Sequence, residues 1–172
     1  GVWVFFSRGC CASVPGPTLD SGRRGHLLQI LLPRRLLEVR KALLCFDWWI
    51  GNGDRCFSEN GGNPNLFWEP GKRELVVIDH NQAFDPEVTA ETFFRDHIFY
   101  EVSADIADDL VERQFYTDRM NEALSHWDSI VAGLPEEWFY IDPEMTIELG
   151  LSTEELKTHL LRCLNDDFWN WK

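Results

Sequence analysis

The residues that decide the fold are 46–84, which read FDWWIGNGDRCFSENGGNPNLFWEPGKRELVVIDHNQAF. Two runs of β-favouring residues, 66–68 and 75–78, lie on either side of a short turn sequence. In that turn, Pro70 presets φ at the first central position and Gly71 supplies a positive φ at the second. The two runs are therefore predicted to pair as an antiparallel hairpin.

The predicted register brings polar side chains together at the open end of this hairpin. If Glu69 faces Glu74, then Asn65 lies opposite Ile78 and next to Asp79. Cross-strand neighbours have Cβ atoms roughly 5 Å apart, so an amide oxygen and a carboxylate would sit side by side. These are ligands that suit Mg²⁺, with phosphates and water completing its coordination. Asn65 and Asp79 are therefore predicted to bind Mg²⁺.

A third polar residue, Asp54, lies in a loop just upstream of the hairpin. Gly51 and Gly53 flank Asn52 and permit the backbone dihedral angles that a tight loop needs. A carboxylate in such a loop can accept the proton of an incoming hydroxyl group or orient that group. Asp54 is therefore predicted to join Asn65 and Asp79 at one magnesium–phosphate site.

The sequence of this region resembles the HipA-like kinases, which are bacterial relatives of the serine/threonine kinases. The resemblance is carried by FDWWIGNGDR at 46–55, NPNL at 63–66 and VIDH at 77–80. The Gly-Asp-Arg element is also similar to that of the phosphatidylinositol kinases. A loop Asp, a downstream Asn, a short hairpin and an Asp after an apolar strand follow one another in a kinase catalytic core.

The resemblance implies a role for each of the three residues. Asp54 would be the catalytic-loop Asp, Asn65 the loop Asn that binds the metal of Mg–ATP, and Asp79 the main Mg²⁺ ligand. The spacing from Asp54 to Asn65 is longer than in ordinary protein kinases, so Asn60 and Asn63 are rival candidates for the amide ligand. Asn65 is preferred because it alone directly opens the strand.

Other interpretations of these residues stay open at the level of the sequence. Asp and Asn are common in ordinary turns, and an Asp after an apolar strand is often a turn or helix cap. His80 could shield or orient Asp79, or it could be a hydrogen-bonded structural histidine.

The fold class predicted is mainly α with one β-hairpin. Helices are expected over 33–49, 87–99 and 105–132 from their apolar spacing, with Lys41 on the solvent side of the first. Asp85 is the expected cap of the second, and Leu110 is among the helically spaced apolar residues expected to form the core side of the third. Ser152 and Glu155 form a capping-box pattern that starts a final helix. The resemblance implies that this architecture is the helical C-terminal lobe of a protein-kinase-like fold.

Charge is distributed unevenly along the 172 residues, whose net charge is −13. The residues up to Lys41 carry seven Lys and Arg against Asp20 and Glu38. Residues 1–32 are predicted to be a poorly ordered basic segment, and residues 33–172 the HipA-like kinase C-lobe. A body this acidic repels phosphates, which argues against nucleic-acid binding over its general surface.

The cysteines and the hydropathy pattern indicate the cellular environment in which the protein is expected. The five cysteines are Cys10, Cys11, Cys45, Cys56 and Cys163. They form no CxxC pair, and no histidine spacing typical of a zinc site accompanies them. This pattern favours reduced thiols in a cytoplasmic protein. No apolar run approaches the length needed to span a membrane, so no membrane partner is expected.

The function predicted is an ATP- and Mg²⁺-dependent phosphotransferase of the serine/threonine-kinase type, of which this chain is the C-terminal catalytic lobe. The strand Lys and the nucleotide cover of an upper lobe have no counterpart in the sequence, since residues 22–25 lack a preceding strand. The chain alone is therefore expected to bind ATP poorly and to transfer phosphate slowly or not at all. Gly1 in place of an initiating Met is typical of a fragment or a processed product.

The phosphoacceptor, whether a protein or a small molecule, cannot be read from the sequence. One alternative function is a pseudokinase or a non-catalytic helical interaction domain, because the upper lobe is missing. Another is an acidic antitoxin-like binding module, which rests on the net charge alone.

Overall fold

A computed structural model describes residues 37–57, 62–69, 74–150 and 152–171. The predicted poor order of residues 1–32 and the rival ligand Asn60 lie outside these residues. The described part is mainly α with one small antiparallel sheet, as predicted. Its helices and strands are α1 (Leu37–Ile50), β1 (Leu66–Glu69), β2 (Glu74–Val77), α2 (Ala90–Asp96), α3 (Ser103–Ala107), α4 (Leu110–Leu124), α5 (Trp127–Ala132) and α6 (Thr153–Leu160).

Helix α1 supplies much of the core. Leu43, Leu44 and Trp48 are buried, as their helical spacing predicts. Lys41 was expected on the solvent side, but it is only 7% exposed, and its ammonium lies 3.2 Å from the Glu112 carboxylate of α4. The prediction was wrong because a lysine can bury its aliphatic stem against a neighbouring helix while its charged end meets a carboxylate.

The hairpin forms in the predicted register. Leu66 pairs with Val77, and Glu69 pairs with Glu74. Beyond the last strand pair, the backbone N–H of Ile78 donates to the carbonyl of Asn65 at 3.0 Å. The antiparallel ladder therefore extends to the open end of the hairpin, where the predicted site lies.

The helix predicted over 87–99 is shorter than expected and begins later. Its observed form is α2, which Thr89 caps by accepting from the Thr92 backbone N–H, while the Thr92 side chain bonds back to the Thr89 backbone. Asp85, the expected cap, instead accepts from the backbone two residues further on. The capping box starts the helix here because it satisfies two free backbone donors at once.

The single helix predicted over 105–132 is three helices, α3, α4 and α5. Asp109 separates the first two, since its side chain accepts from the backbone N–H groups that open α4. Leu110, expected in the core, is 75% exposed, whereas Tyr116 and Met120 are buried. None of the described helices has the length and apolar character needed to cross a bilayer.

The C-terminal segment is fixed to α1 through two tryptophans. The indole N–H of Trp49 donates to the Leu160 carbonyl at 2.8 Å, and that of Trp48 donates to the Phe168 carbonyl at 3.0 Å. Ser152 caps α6 as predicted, accepting from the Glu155 backbone N–H. This packing holds the end of α1, and with it the start of the loop that carries Asp54.

The cysteines within the described residues form no disulfide. Cys45 and Cys163 are buried in the core, and Cys56 is partly buried. The first two pack as small apolar residues, and Cys10 and Cys11 lie outside the described residues.

Candidate active site

The structure brings Asp54 and Asn65 into direct contact. The Asn65 amide Nδ2 donates to Asp54 Oδ2 at 2.9 Å. A carboxylate is an acceptor only, so the amide nitrogen must face it and the Asn65 oxygen Oδ1 remains as the candidate ligand atom. Asn65 is 4% exposed, while Asp54 is partly buried. The amide is thus held rigidly, and the carboxylate is still accessible.

Asn65 and Asp79 share an unusual backbone conformation. Their φ angles are 50° and 54°, in the left-handed region that Asn and Asp adopt more readily than most residues. Asp79 follows Ile78, whose backbone pairs with that of Asn65. The two predicted metal ligands therefore occupy adjacent backbone positions, and each departs from the regular alternation of a strand.

The Asp79 side chain is exposed. Its Oδ1 accepts from the Asn81 backbone N–H at 3.3 Å. Among the described residues, no hydrogen bond joins its carboxylate to Asp54 or Asn65. The structure thus brings Asp54 and Asn65 together by side-chain contact, and it places Asp79 beside them through the backbone pairing alone.

Of the two rival amides, only Asn63 lies within the described residues. It is exposed, and its Oδ1 accepts from the Asn65 backbone N–H at 3.2 Å. Asn63 therefore stabilises the backbone of Asn65 rather than contacting Asp54, which favours Asn65 as the amide ligand.

Arg55 joins the backbones on both sides of the site. Its side chain is fully buried, and Nη1 donates to the carbonyls of Pro64, Asn65 and Ile78 at 3.1, 3.0 and 3.4 Å. One guanidinium therefore fixes the spacing between the residues that enter β1 and leave β2. Because Asp54 precedes it in the chain, Arg55 also ties the loop that carries Asp54 to the hairpin.

Asp47 of α1 neutralises this buried arginine. Its Oδ2 accepts from Arg55 Nε at 2.6 Å and from His97 Nε2 at 3.1 Å, and its Oδ1 accepts from Asn52 Nδ2 at 2.9 Å. The Phe99 backbone N–H donates to His97 Nδ1. This bond leaves the single proton of a neutral His97 on Nε2, where it can be donated to Asp47.

Burial and pairing set the charge states within this network. Burial acts to raise the pKa of Asp47, but the His97 hydrogen bond and the Arg55 charge together bring that pKa below its ordinary value. Burial lowers the pKa of His97 in spite of the attraction to Asp47. Asp47 is therefore ionised and His97 neutral at neutral pH.

His80 belongs to the same arrangement. The Arg55 Nη2 lies 3.0 Å from His80 Nε2, which must accept because a guanidinium has no acceptor atom. The imidazole also meets the Phe46 ring edge-on, with centroids 5.7 Å apart. These contacts favour the structural interpretation of His80 over a role in shielding Asp79.

Sequence reasoning missed this supporting network, although part of it had a signal. Asp47 stands between Phe46 and Trp48 in an apolar helix, and a carboxylate on such a face is seldom buried without a partner. No comparable signal marks His97, because it lies fifty residues away and meets Asp47 only through the fold.

The fold is expected to lose stability as the pH falls from 7.5 to 5. Burial lowers the pKa of His97, and burial with the nearby Arg162 charge lowers that of His159 to about 4. The unfolded chain takes up these protons near pH 6.5, so below that value it binds more protons than the folded state. Each histidine then contributes at most about 1.4 kcal/mol per pH unit, and less for the partly exposed His159.

Urea unfolding at intervals between pH 7.5 and 5 measures this dependence. His97→Gln should flatten the slope of unfolding free energy against pH, whatever it does to stability at pH 7.5. His126→Gln, at an exposed position, is the control and should leave the slope unchanged. Equal slopes in the wild-type protein and in His97→Gln would contradict the assignment of a neutral buried imidazole.

The donor atoms at the open end of the hairpin suit Mg²⁺. Among the described residues, no three His, Cys, Asp or Glu side chains form a group that could hold a metal ion by themselves. Two carboxylates and one amide oxygen are instead the type of partial set that binds Mg²⁺ together with substrate phosphates. Asp54, Asn65 and Asp79 therefore fit a shared metal–phosphate site rather than a closed structural cage.

Comparison with protein families finds one that covers most of the chain. The family described as HipA-like kinase matches residues 33–172, which include Asp54, Asn65, Asp79 and the residues that support them. No curated protein and no solved structure matches the chain.

Proposed function

The chain belongs to the HipA-like kinase family, and we propose that it carries the catalytic site of an ATP- and Mg²⁺-dependent phosphotransferase of the serine/threonine-kinase type. The observation that carries this proposal is the 2.9 Å hydrogen bond from Asn65 to Asp54 at the open end of the hairpin. It joins the loop that carries Asp54 to the residue that opens β1, and β1 pairs with β2, the strand that precedes Asp79. These elements follow one another in the order of a kinase core.

Asn65 and Asp79 would hold the metal. The amide nitrogen of Asn65 already donates a hydrogen bond to Asp54, so the amide oxygen is the atom that would face a cation. Asp79 offers an exposed carboxylate, and both residues have the strained backbone that is frequent at functional sites. When bound, Mg²⁺ neutralises charge on the β- and γ-phosphates of the nucleotide.

Asp54 would orient the acceptor hydroxyl and take its proton. The hydroxyl oxygen forms a bond to the γ-phosphorus, and the bond from that phosphorus to the β,γ-bridging oxygen breaks. ADP leaves with the bonding electron pair, and the hydroxyl proton passes to the Asp54 carboxylate. The hydrogen bond from Asn65 fixes the orientation of this carboxylate before the substrate arrives.

The apolar surface beside the metal ligands supports a nucleotide as the phosphate donor. Phe67 is 60% exposed, and its cross-strand partner Val76 is 38% exposed. Ile78, two residues after Val76 and 39% exposed, continues the same face of the hairpin. A nucleobase needs such a flat apolar surface within reach of the phosphate site.

Calorimetric titration with ATP tests this proposal. Binding to the chain is expected to be weak, to require Mg²⁺ and to disappear in EDTA. Asp79→Asn should weaken it by about tenfold or more, which corresponds to about 1.4 kcal/mol. Binding that is equal in Mg²⁺ and EDTA, or no binding at all, would instead favour the non-catalytic helical interaction domain.

A further inference from the structure

A small cavity lies between the loop that carries Asp54 and helix α2. Its volume is about 170 Å³. Three parts of the chain line it, among them Gly53 of the loop, Glu87 and Val88 of the segment after Asp79, and Phe93 and Asp96 of α2. The cavity is separate from the hairpin face on which the nucleobase is placed.

The volume of the cavity limits the class of ligand. Pockets for drug-sized ligands measure roughly 300–1,000 Å³, whereas an engineered cavity of about 150 Å³ holds a benzene-sized molecule. A volume of about 170 Å³ therefore excludes a nucleotide and suits one long side chain.

The lining selects a positively charged side chain. Val88 and Phe93 supply apolar walls, and Glu87 and Asp96 supply carboxylates. Arg95 already pairs with Asp96 at 2.6 Å, whereas Glu87 is exposed and forms an ion pair with no other described residue. Lys and Arg side chains suit such a lining, because their stems pack on apolar surface while their charged ends stay near carboxylates and water.

The acidic segment around the cavity also favours a positively charged ligand. Residues 79–96 contain five carboxylate side chains but only one Lys or Arg, which is Arg95. Surface charge of one sign raises the local concentration of ligands of the other sign. A cationic peptide would therefore be attracted to this part of the surface before its side chain enters the cavity.

The cavity is also close to the proposed catalytic carboxylate. Gly53 lines it, and Asp54 is the next residue, with Cα atoms about 3.8 Å apart. A Cβ atom at Gly53 would lie 2.9 Å from Val88 Cγ2. The loop thus lies so close to Val88 that a side chain at position 53 would require Val88 to shift. A peptide whose hydroxyl meets Asp54 would have its neighbouring side chains within reach of this opening.

We propose that the cavity binds a Lys or Arg side chain close in sequence to the phosphoacceptor residue of a protein substrate, and that Glu87 selects it. This inference rests on the proposed function, because the acceptor hydroxyl is placed at Asp54. The phosphoacceptor is accordingly a serine or threonine in a basic peptide segment.

Three peptides that differ only in charge test the inference. They are acetyl-Gly-Arg-Gly-Ser-Gly-Arg-Gly-amide and the same sequence with Gln or with Glu in place of Arg. Each is titrated into the labelled full chain in the presence of Mg–ATP, while the backbone amide signals of Gly53 and Val88 are followed by NMR. The Arg peptide should shift these signals and bind at least tenfold more tightly than the Gln peptide, and the Glu peptide should not bind.

Two substitutions with the same change in net charge separate the cavity from general attraction. Glu87→Lys should weaken binding of the Arg peptide at least tenfold and allow the Glu peptide to bind. Glu122→Lys alters an exposed residue of α4 that does not line the cavity, and it should change both affinities less than twofold. Neither substitution should change the binding of Mg–ATP.

The two proposals fail in different ways. Equal affinities for the three peptides, or equal effects of the two substitutions, would overturn the basic-substrate inference while Mg–ATP binding, and hence the proposed function, stands. Absence of Mg²⁺-dependent ATP binding would overturn the proposed function itself, and the inference with it.

Discussion

Replacing Asp79 with Asn is expected to lower the rate of phosphate transfer about a hundredfold or more, the loss typical when one preorganised electrostatic contact to the reacting phosphates is removed. Asn can adopt the positive φ of 54° found at this position, so the backbone should remain in place. The side chain is exposed, and its hydrogen bond to the Asn81 backbone N–H lies within its own turn. The fold should therefore retain its stability while the metal loses a charged ligand.

Transfer is measured with radiolabelled ATP on the full-length gene product, alongside thermal unfolding of the same samples. Asp166→Asn provides a matched control, because it makes the same chemical change at an exposed Asp in the C-terminal segment. The control should be as active as the wild-type protein. Activity of Asp79→Asn close to that of the wild type would remove Asp79 from the site.

Replacing Asp47 with Ala is expected to destabilise the fold by about 3–5 kcal/mol, because it leaves the buried charge of Arg55 unpaired. Arg55 and Asp47 are both 0% exposed, and His97 loses the same acceptor. For a chain of this size, the midpoint of thermal unfolding should fall by roughly 10 °C. The loss would also loosen the hairpin, since Arg55 holds the carbonyls of Asn65 and Ile78.

A second ion pair in the chain, with the same distance but greater exposure, allows the effect of burial to be tested. Arg95 and Asp96 are also joined at 2.6 Å, but their side chains are 63% and 36% exposed. Asp96→Ala should leave the midpoint nearly unchanged, since water screens an exposed pair and solvates the remaining charge. Similar losses for Asp47→Ala and Asp96→Ala would contradict the role given to burial.

A double variant separates the unpaired charge from the lost contacts. Adding Arg55→Met to Asp47→Ala should cost less than the sum of the two single effects, because neither charge is then left alone in the core. Full additivity would indicate that the two residues stabilise the fold independently.

Features with a local cause were predictable from the sequence. The Pro-Gly pattern in the sequence predicted the register in which β1 and β2 pair, and with it the position of Asn65 opposite Ile78. The capping pattern at Ser152 located the start of α6 for the same kind of reason. The contact of Asn65 with Asp54 was expected from the order of a kinase core, and their chemical roles remain proposals.

Features that depend on distant partners could not be predicted. The position of His97 depends on the pairing of Cys56 with His97 across forty residues of chain. The burial of Lys41 required a carboxylate on another helix, Glu112. Helix starts were misjudged where two local caps competed, because the sequence shows which residues can cap but not which cap tertiary packing will favour.

The hydrogen bonds around Arg55 and α1 explain how the residues of a small site can be held in position. Arg55 ties the loop that carries Asp54 to the hairpin, and Asp47 of α1 compensates the charge of Arg55. The C-terminal segment in turn bonds to α1 through Trp48 and Trp49. Groups that touch no substrate thus hold the positions from which Asp54 and Asn65 would act.

The most direct test of a shared site is paramagnetic broadening by Mn²⁺, which prefers the same oxygen ligands as Mg²⁺. With ATP present, trace Mn²⁺ should first broaden the NMR signals of the Asp54 and Asp79 backbone amides and of the Asn65 side-chain NH₂, all at the same concentration. Excess Mg²⁺ should reverse the effect. If the signals of Asp79 broadened while those of Asp54 and Asn65 stayed sharp, the three residues would not surround one cation, and the proposed site would be wrong.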